Sequence, residues 1–88
     1  MNPNPNQIWL IMKSGQDPKN PTQFLASSLT AGQVKYDWKG VKEASLFTSQ
    51  TRLAAFMHAL LVNSPAIHRE SVVVSNTRDN LKAMGAKL

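Results

Sequence analysis

The stretch Lys35–Leu61, KYDWKGVKEASLFTSQTRLAAFMHALL, holds the two clearest periodicities in the chain, with a short turn between them. Through Gln33–Lys39, Val34, Tyr36 and Trp38 share one face while Lys35, Asp37 and Lys39 share the other, the two-residue repeat of a half-buried strand. After Thr48 and Ser49 the repeat changes. Leu53, Phe56, Met57, Leu60 and Leu61 fall at the spacing of an amphipathic helical stripe, and Ala54, Ala55 and Ala59 add helix propensity. Thr48 or Ser49 is the expected N-cap, because a hydroxyl oxygen can accept from the first unpaired N–H groups. Asn63-Ser64-Pro65 stops the helix. Between strand and helix, Gly40 ends the strand, and Ala44, Leu46 and Phe47 are expected core contacts.

Working outward, Gln7–Lys13 (QIWLIMK) is aromatic and β-branched at its start and almost wholly apolar. Such a run suits a central strand covered on both faces, or a strand with a helix on one face and a partner on the other. Ser14–Pro21 (SGQDPKNP) is a turn by composition. Thr22–Leu29 follows as a returning strand anchored by Phe24 and Leu25, with a turn at Thr30–Gly32. Beyond the main helix, Ile67–Ser75 reads as another strand centred on Val72–Val74. Asn76 is the expected cap of a short final helix, Thr77–Met84, with Asp79 in its first turn and Gly85 just past its end. Leu81, Met84 and Leu88 are expected to face inward. Met1–Asn6 alternates Asn and Pro and reads as a disordered tip, leaving 7–88 as a single domain. The expected fold is α+β: a three- to four-stranded antiparallel sheet packed on one main helix with a short C-terminal helix, in the order β-β-β-α-β-α.

Eighty-eight residues at 42% apolar content suffice for one small core. With no cysteine in the chain, disulfide frameworks and thiolate chemistry are excluded. The longest apolar run, Leu53–Val62, falls well short of the roughly 20 residues that span a bilayer, and MNPNPNQ lacks the features of a secretory signal. These readings lead to the expectation of a cytoplasmic protein with no membrane contact. Ten Lys/Arg against five Asp/Glu give a formal charge of +5, which favours anionic partners. The positive residues are dispersed, with no long run and no arginine-rich arm.

Motifs for chemistry are missing. His58 and His68 lie in no metal-ligand spacing, the glycines are isolated, and no serine sits in a nucleophile elbow. The carboxylates are scattered, with Asp17 and Asp79 where turns and helix starts favour acids. Neither an enzyme, a cofactor nor a metal is expected.

The candidate binding residues are Lys35, Lys39, Lys42, Trp38, Tyr36 and Trp9. Stacking surface combined with phosphate-seeking charge is what single-stranded nucleic-acid binding requires. Alternation, however, puts Tyr36 and Trp38 opposite Lys35 and Lys39, so the competing reading buries the aromatics beneath the helix and leaves the lysines solvated. Trp9 is either core or, if its strand lies at an edge, the anchor of an interface, including that of a homodimer.

From Trp38 to Leu60 the chain resembles small accessory proteins of phages and prophages. The shared features are a Trp-bearing strand, Ala44 and Phe47 in an A-x-x-F spacing, a Ser/Thr cap, and a helix with a late aromatic and a leucine. The resemblance implies a small α+β protein of phage or mobile-element origin, inside the host cell. Such a protein would bind and modulate or inhibit a host protein or protein–nucleic-acid complex, as host-takeover and anti-defence factors do. The alternative is direct DNA or RNA binding through the basic strand face.

Overall fold

The computed structural model describes residues 7–17 and 19–88. The tip Met1–Asn6 lies outside the described residues. Four strands, β1 (Gln7–Lys13), β2 (Phe24–Thr30), β3 (Gln33–Lys39) and β4 (Ser71–Thr77), form one antiparallel sheet in the order β3-β2-β1-β4. Three helices complete it: α1 (Gln50–Asn63), α2 (Pro65–Arg69) and α3 (Arg78–Ala83). A short 3-10 turn covers Val41–Glu43. The α+β class and the order of its principal elements agree with the sequence reading.

β1 is central, and its side chains alternate between two cores. Ile8 and Leu10 join Phe24, Leu81 and Ala86 on the face covered by α3. Ile11 joins Leu25, Leu53 and Leu60 on the face covered by α1, with Trp9 packed beside them. A strand with a core on each side has no solvated face, which is why its sequence is apolar almost throughout. Trp9 is therefore not at a sheet edge: β4 pairs with one side of its strand, and β2 and Phe47 with the other.

β1 and β2 meet in register only at Met12 and Phe24, and then diverge. The segment Ser45–Phe47 fills the gap. The N–H of Phe47 donates to the Trp9 carbonyl at 2.9 Å, and the N–H of Trp9 donates to the Phe47 carbonyl at 2.8 Å. On the other side the Ser45 N–H donates to the Leu25 carbonyl at 3.0 Å, and its Oγ accepts from the Ser27 N–H at 3.3 Å. These contacts satisfy backbone groups that the divergence would otherwise leave unpaired. They also send Leu46 into the α3-side core and Phe47 into the α1-side core.

The turn between β1 and β2 is closed by one side chain. Gln16 Nε2 donates to the carbonyls of Lys13 (2.8 Å) and Gln23 (2.9 Å). Its Oε1 accepts from the N–H groups of Thr22 (2.9 Å) and Gln23 (2.8 Å). The amide thus stands in for a missing rung between the strands.

Ser49 is the N-cap of α1, its hydroxyl accepting from the Arg52 N–H at 3.3 Å. Leu53 and Leu60 are buried and Phe56 and Met57 half-buried, whereas Leu61 is 47% exposed, at the margin of the stripe. Residues 67–69 do not begin a strand. Ser64 and Pro65 restart the helix instead: proline at the first helical position needs no N–H partner, and His68 N–H donates to the Ser64 carbonyl. β4 consequently starts at Ser71, and His68 lies on a helix. The cap of α3 is Thr77, whose Oγ1 accepts from the Asn80 N–H at 3.1 Å; Asn76 instead accepts from the Thr77 N–H.

Gly85, at φ +99°, ends α3 as expected. Ala86 N–H donates to the Leu81 carbonyl and Gly85 N–H to that of Lys82, the paired bonds of a Schellman motif. The accompanying apolar contact is made by Ala86 and Leu81, both buried. Met84 (40% exposed) sits only at the margin of the α3-side core, beside Leu10, Phe24 and Leu81, and Leu88 (45% exposed), past the turn at Gly85, lies outside it.

Candidate functional site

The β2–β3 hairpin carries most of the candidate residues. Thr30 pairs with Gln33 across Ala31-Gly32, which have φ of 53° and 76°. Positive φ at both loop positions is the type I′ turn, whose twist matches that of the strands it joins. The register fixes the faces of β3. Tyr36 and Trp38 pack on the α1 side, with Tyr36 edge-on to Phe56 at 5.8 Å between ring centroids. Trp38 lies beneath Lys13, whose Nζ is 6.0 Å from the ring centroid, within reach of a weak cation–π contact.

Lys35, Asp37 and Lys39 point the other way and are all exposed. Across the strand pair they stand opposite Ser28, Ala26 and Phe24. Lys35 and Lys39 are about 13 Å apart at the rise of an extended strand, with Asp37 midway between them. Lys42, in the 3-10 turn, belongs to the same side of the sheet. Its stem runs past Gly85, where a β-carbon would meet Lys42 Cε at 3.4 Å. Its charge therefore sits by the C-terminal end of α3, where a cation is favoured.

The six candidates thus divide. Lys35, Lys39 and Lys42 share the α3 side and solvent, while Tyr36, Trp38 and Trp9 are half-buried on the α1 side. No single surface combines stacking aromatics with these lysines.

Alternation puts Val34 on the face of Tyr36 and Trp38, yet it does not share their burial. It is 53% exposed, and its cross-strand partner Leu29 is 73% exposed. The hairpin outruns the helix that covers its base, so the last apolar pair stands in water beside Asn63 and Ser64 at the end of α1. Alternation identified the face correctly. How far along that face α1 reaches depends on its placement over the sheet, which periodicity does not encode.

Among the described residues no three His, Asp or Glu side chains are grouped to hold a metal ion, and no helix is long and apolar enough to cross a membrane. Compared with known proteins, the chain matches no family model, no curated protein and no solved structure.

Proposed function

We propose that the protein is a non-enzymatic binding module that docks on a host protein, or on the protein part of a protein–nucleic-acid complex, through its β2–β3 hairpin. The observation that carries this reading is the hairpin's outer half. It stands clear of both cores and presents an exposed apolar pair, Leu29 and Val34, on one face, with Lys35 on the other face beginning a charged row that Asp37 and Lys39 continue to the hairpin's base. An exposed apolar pair suits a protein surface, where burial supplies attraction, and the mixed charges on the reverse face can bias the approach of a charged partner. Modulation or inhibition of that partner, and a phage or mobile-element origin, follow from the resemblance of Trp38–Leu60.

The alternative, direct nucleic-acid binding, draws on Lys35, Lys39 and Lys42 sharing one side of the sheet. Asp37 counts against it, because a carboxylate midway between two lysines repels the phosphate chain that they would hold. Capture from nuclease-treated host lysate separates the two. Docking on protein predicts a partner that survives nuclease and is lost with Leu29→Asp or Val34→Asp. Recovery of complexes only while nucleic acid is intact would support the alternative instead.

A further inference from the structure

The two edges of the sheet are built differently. β3 carries Lys35, Asp37 and Lys39, charges that discourage pairing with a stray strand. β4 reads SVVVSNT, with no charge and no proline, and among the described residues no strand pairs with its outer edge. Val72 (38% exposed) and Val73 (41% exposed) reach solvent there. A seven-residue uncharged edge is the kind that natural sheets normally blunt.

The hydrogen-bond phase of β4 shows which groups are free. Ser14 N–H donates to the Glu70 carbonyl at 2.7 Å, in line with the β1–β4 register. Alternation then turns the backbone groups of Val72, Val74 and Asn76 towards β1, and those of Ser71, Val73, Ser75 and Thr77 outward. Trp9 confirms the phase, since it stands opposite Ser75 but gives its own backbone groups to Phe47 on the other side. Asn76 Oδ1 occupies the Thr77 N–H. Val73 and Ser75 are therefore the centre of the open edge.

From this edge we infer that the protein forms a two-fold dimer by antiparallel pairing of β4 with β4 of a second copy, about an axis at Val74. In that register Val73 stands opposite Ser75 of the second copy, so the outward groups exchange both backbone bonds, and symmetry repeats the pair. Val74 meets its own counterpart at the close, non-hydrogen-bonded position, where side chains touch.

The flanking charges select this register. Glu70, whose carbonyl continues the β1–β4 register one residue before β4, falls towards Arg78, the residue just after β4, of the second copy. Moving the axis to Val73 would put His68 against Arg78, and moving it to Ser75 would put Val72 there. Of these three, only the axis at Val74 brings Glu70 to Arg78, and the two-fold repeats that pair at the other end. The surface is self-complementary, as a two-fold interface must be, and it leaves the β2–β3 hairpin open on the far edge. The inference stands independently of the docking role proposed for that hairpin.

Sedimentation velocity at low and high concentration tests it, with circular dichroism melts showing that each variant is folded. The wild type should pass from monomer to dimer. Ser75→Lys, on an exposed position of the open edge, should weaken dimerisation by about tenfold or more. Glu70→Arg alone and Arg78→Glu alone should each weaken it by a similar factor, since both place like charges across the axis. An equimolar mixture of those two variants should dimerise again, as should the double variant, because both restore opposite charges. A wild type that stays monomeric to about 1 mM, a thermodynamically negligible affinity, overturns the inference. So does a dimer indifferent to Ser75→Lys, or a failure of the mixed charge variants to recover.

Discussion

The loop at the tip of the β2–β3 hairpin contains an identifiable backbone cost, and relieving it should stabilise the protein. Ala31 adopts φ 53° in a two-residue turn whose second position, Gly32, adopts φ 76°. The left-handed region costs a residue bearing a β-carbon roughly 1–2 kcal/mol, and asparagine bears that conformation more easily because its short polar side chain bonds locally. Ala31→Asn should therefore gain about 1 kcal/mol. Ala31→Gly removes the same strain but frees the unfolded chain by about 0.4–1 kcal/mol, so its net gain should be roughly half as large. Gly32→Ala runs in reverse. Nothing lies within 4 Å of the β-carbon it would add, so its loss, about 1 kcal/mol, is backbone strain alone. For a domain of this size 1 kcal/mol corresponds to about 4–8 °C in Tm. Thermal and urea melts of the three variants should rank them Asn, Gly, wild type and then Gly32→Ala, at an unchanged urea slope. A destabilised Ala31→Asn, or a neutral Gly32→Ala, would refute the assignment of strain to this turn.

Other substitutions probe the cores, the loop latch and the charged row. Leu60→Ala and Leu81→Ala each empty a fully buried site, one in each core, and should each cost about 2–5 kcal/mol. Because β1 and its neighbours separate the two sites, the costs should add in the double variant where it still folds, as urea melts can show. Gln16→Ala removes the amide contacts that close the β1–β2 turn and should cost about 1–2 kcal/mol, discounted for their exposure. Gln16→Glu should be no better, since a carboxylate would face the carbonyls of Lys13 and Gln23. Asp37→Lys makes the β3 row uniformly positive and should strengthen duplex DNA binding relative to the parent. Fluorescence anisotropy should then give a log–log salt slope steepening by about 0.9 for each phosphate engaged, and a parent that already binds DNA as well as the variant would count against the protein-docking reading.

Much of this architecture is legible in local pattern because the pattern has one cause. β1 is apolar on both faces since it has a core on both faces; Leu53, Phe56, Met57 and Leu60 recur at helical spacing since α1 lies along the sheet. Ser49, Gly85 and the alternation of β3 are likewise short-range signals with short-range mechanisms. What escaped depends on distance. The 3.6-residue repeat of α1 places Leu61 on its stripe, but at the stripe's margin it is 47% exposed. Pro65 was readable as a stop and serves equally as a first helical residue, and only the bond from His68 to Ser64 distinguishes the two. The role of Gln16 had no sequence signal, because a glutamine that replaces a strand rung looks like any polar loop residue.

The candidate site illustrates the same limit in functional terms. Aromatics interleaved with lysines suggest a nucleic-acid platform only while both are imagined on one surface. The strand repeat already argued that they are opposed, and the fold gives the opposition a cause: Tyr36 and Trp38 close the α1-side core, Lys42 lies against the end of α3, and Asp37 breaks the remaining cationic row. With stacking and charge separated by the thickness of the sheet, affinity has to come from surfaces that the cores leave unfinished. Among the described residues these include the Leu29–Val34 tip of the hairpin and the uncharged edge of β4, which lie at opposite ends of the strand order. A dimer closed through β4 would therefore carry two hairpins pointing away from its axis. Binding by such a pair to a target that is itself repeated would gain from effective concentration, so Ser75→Lys should weaken capture of a multivalent partner more than capture of a monovalent one.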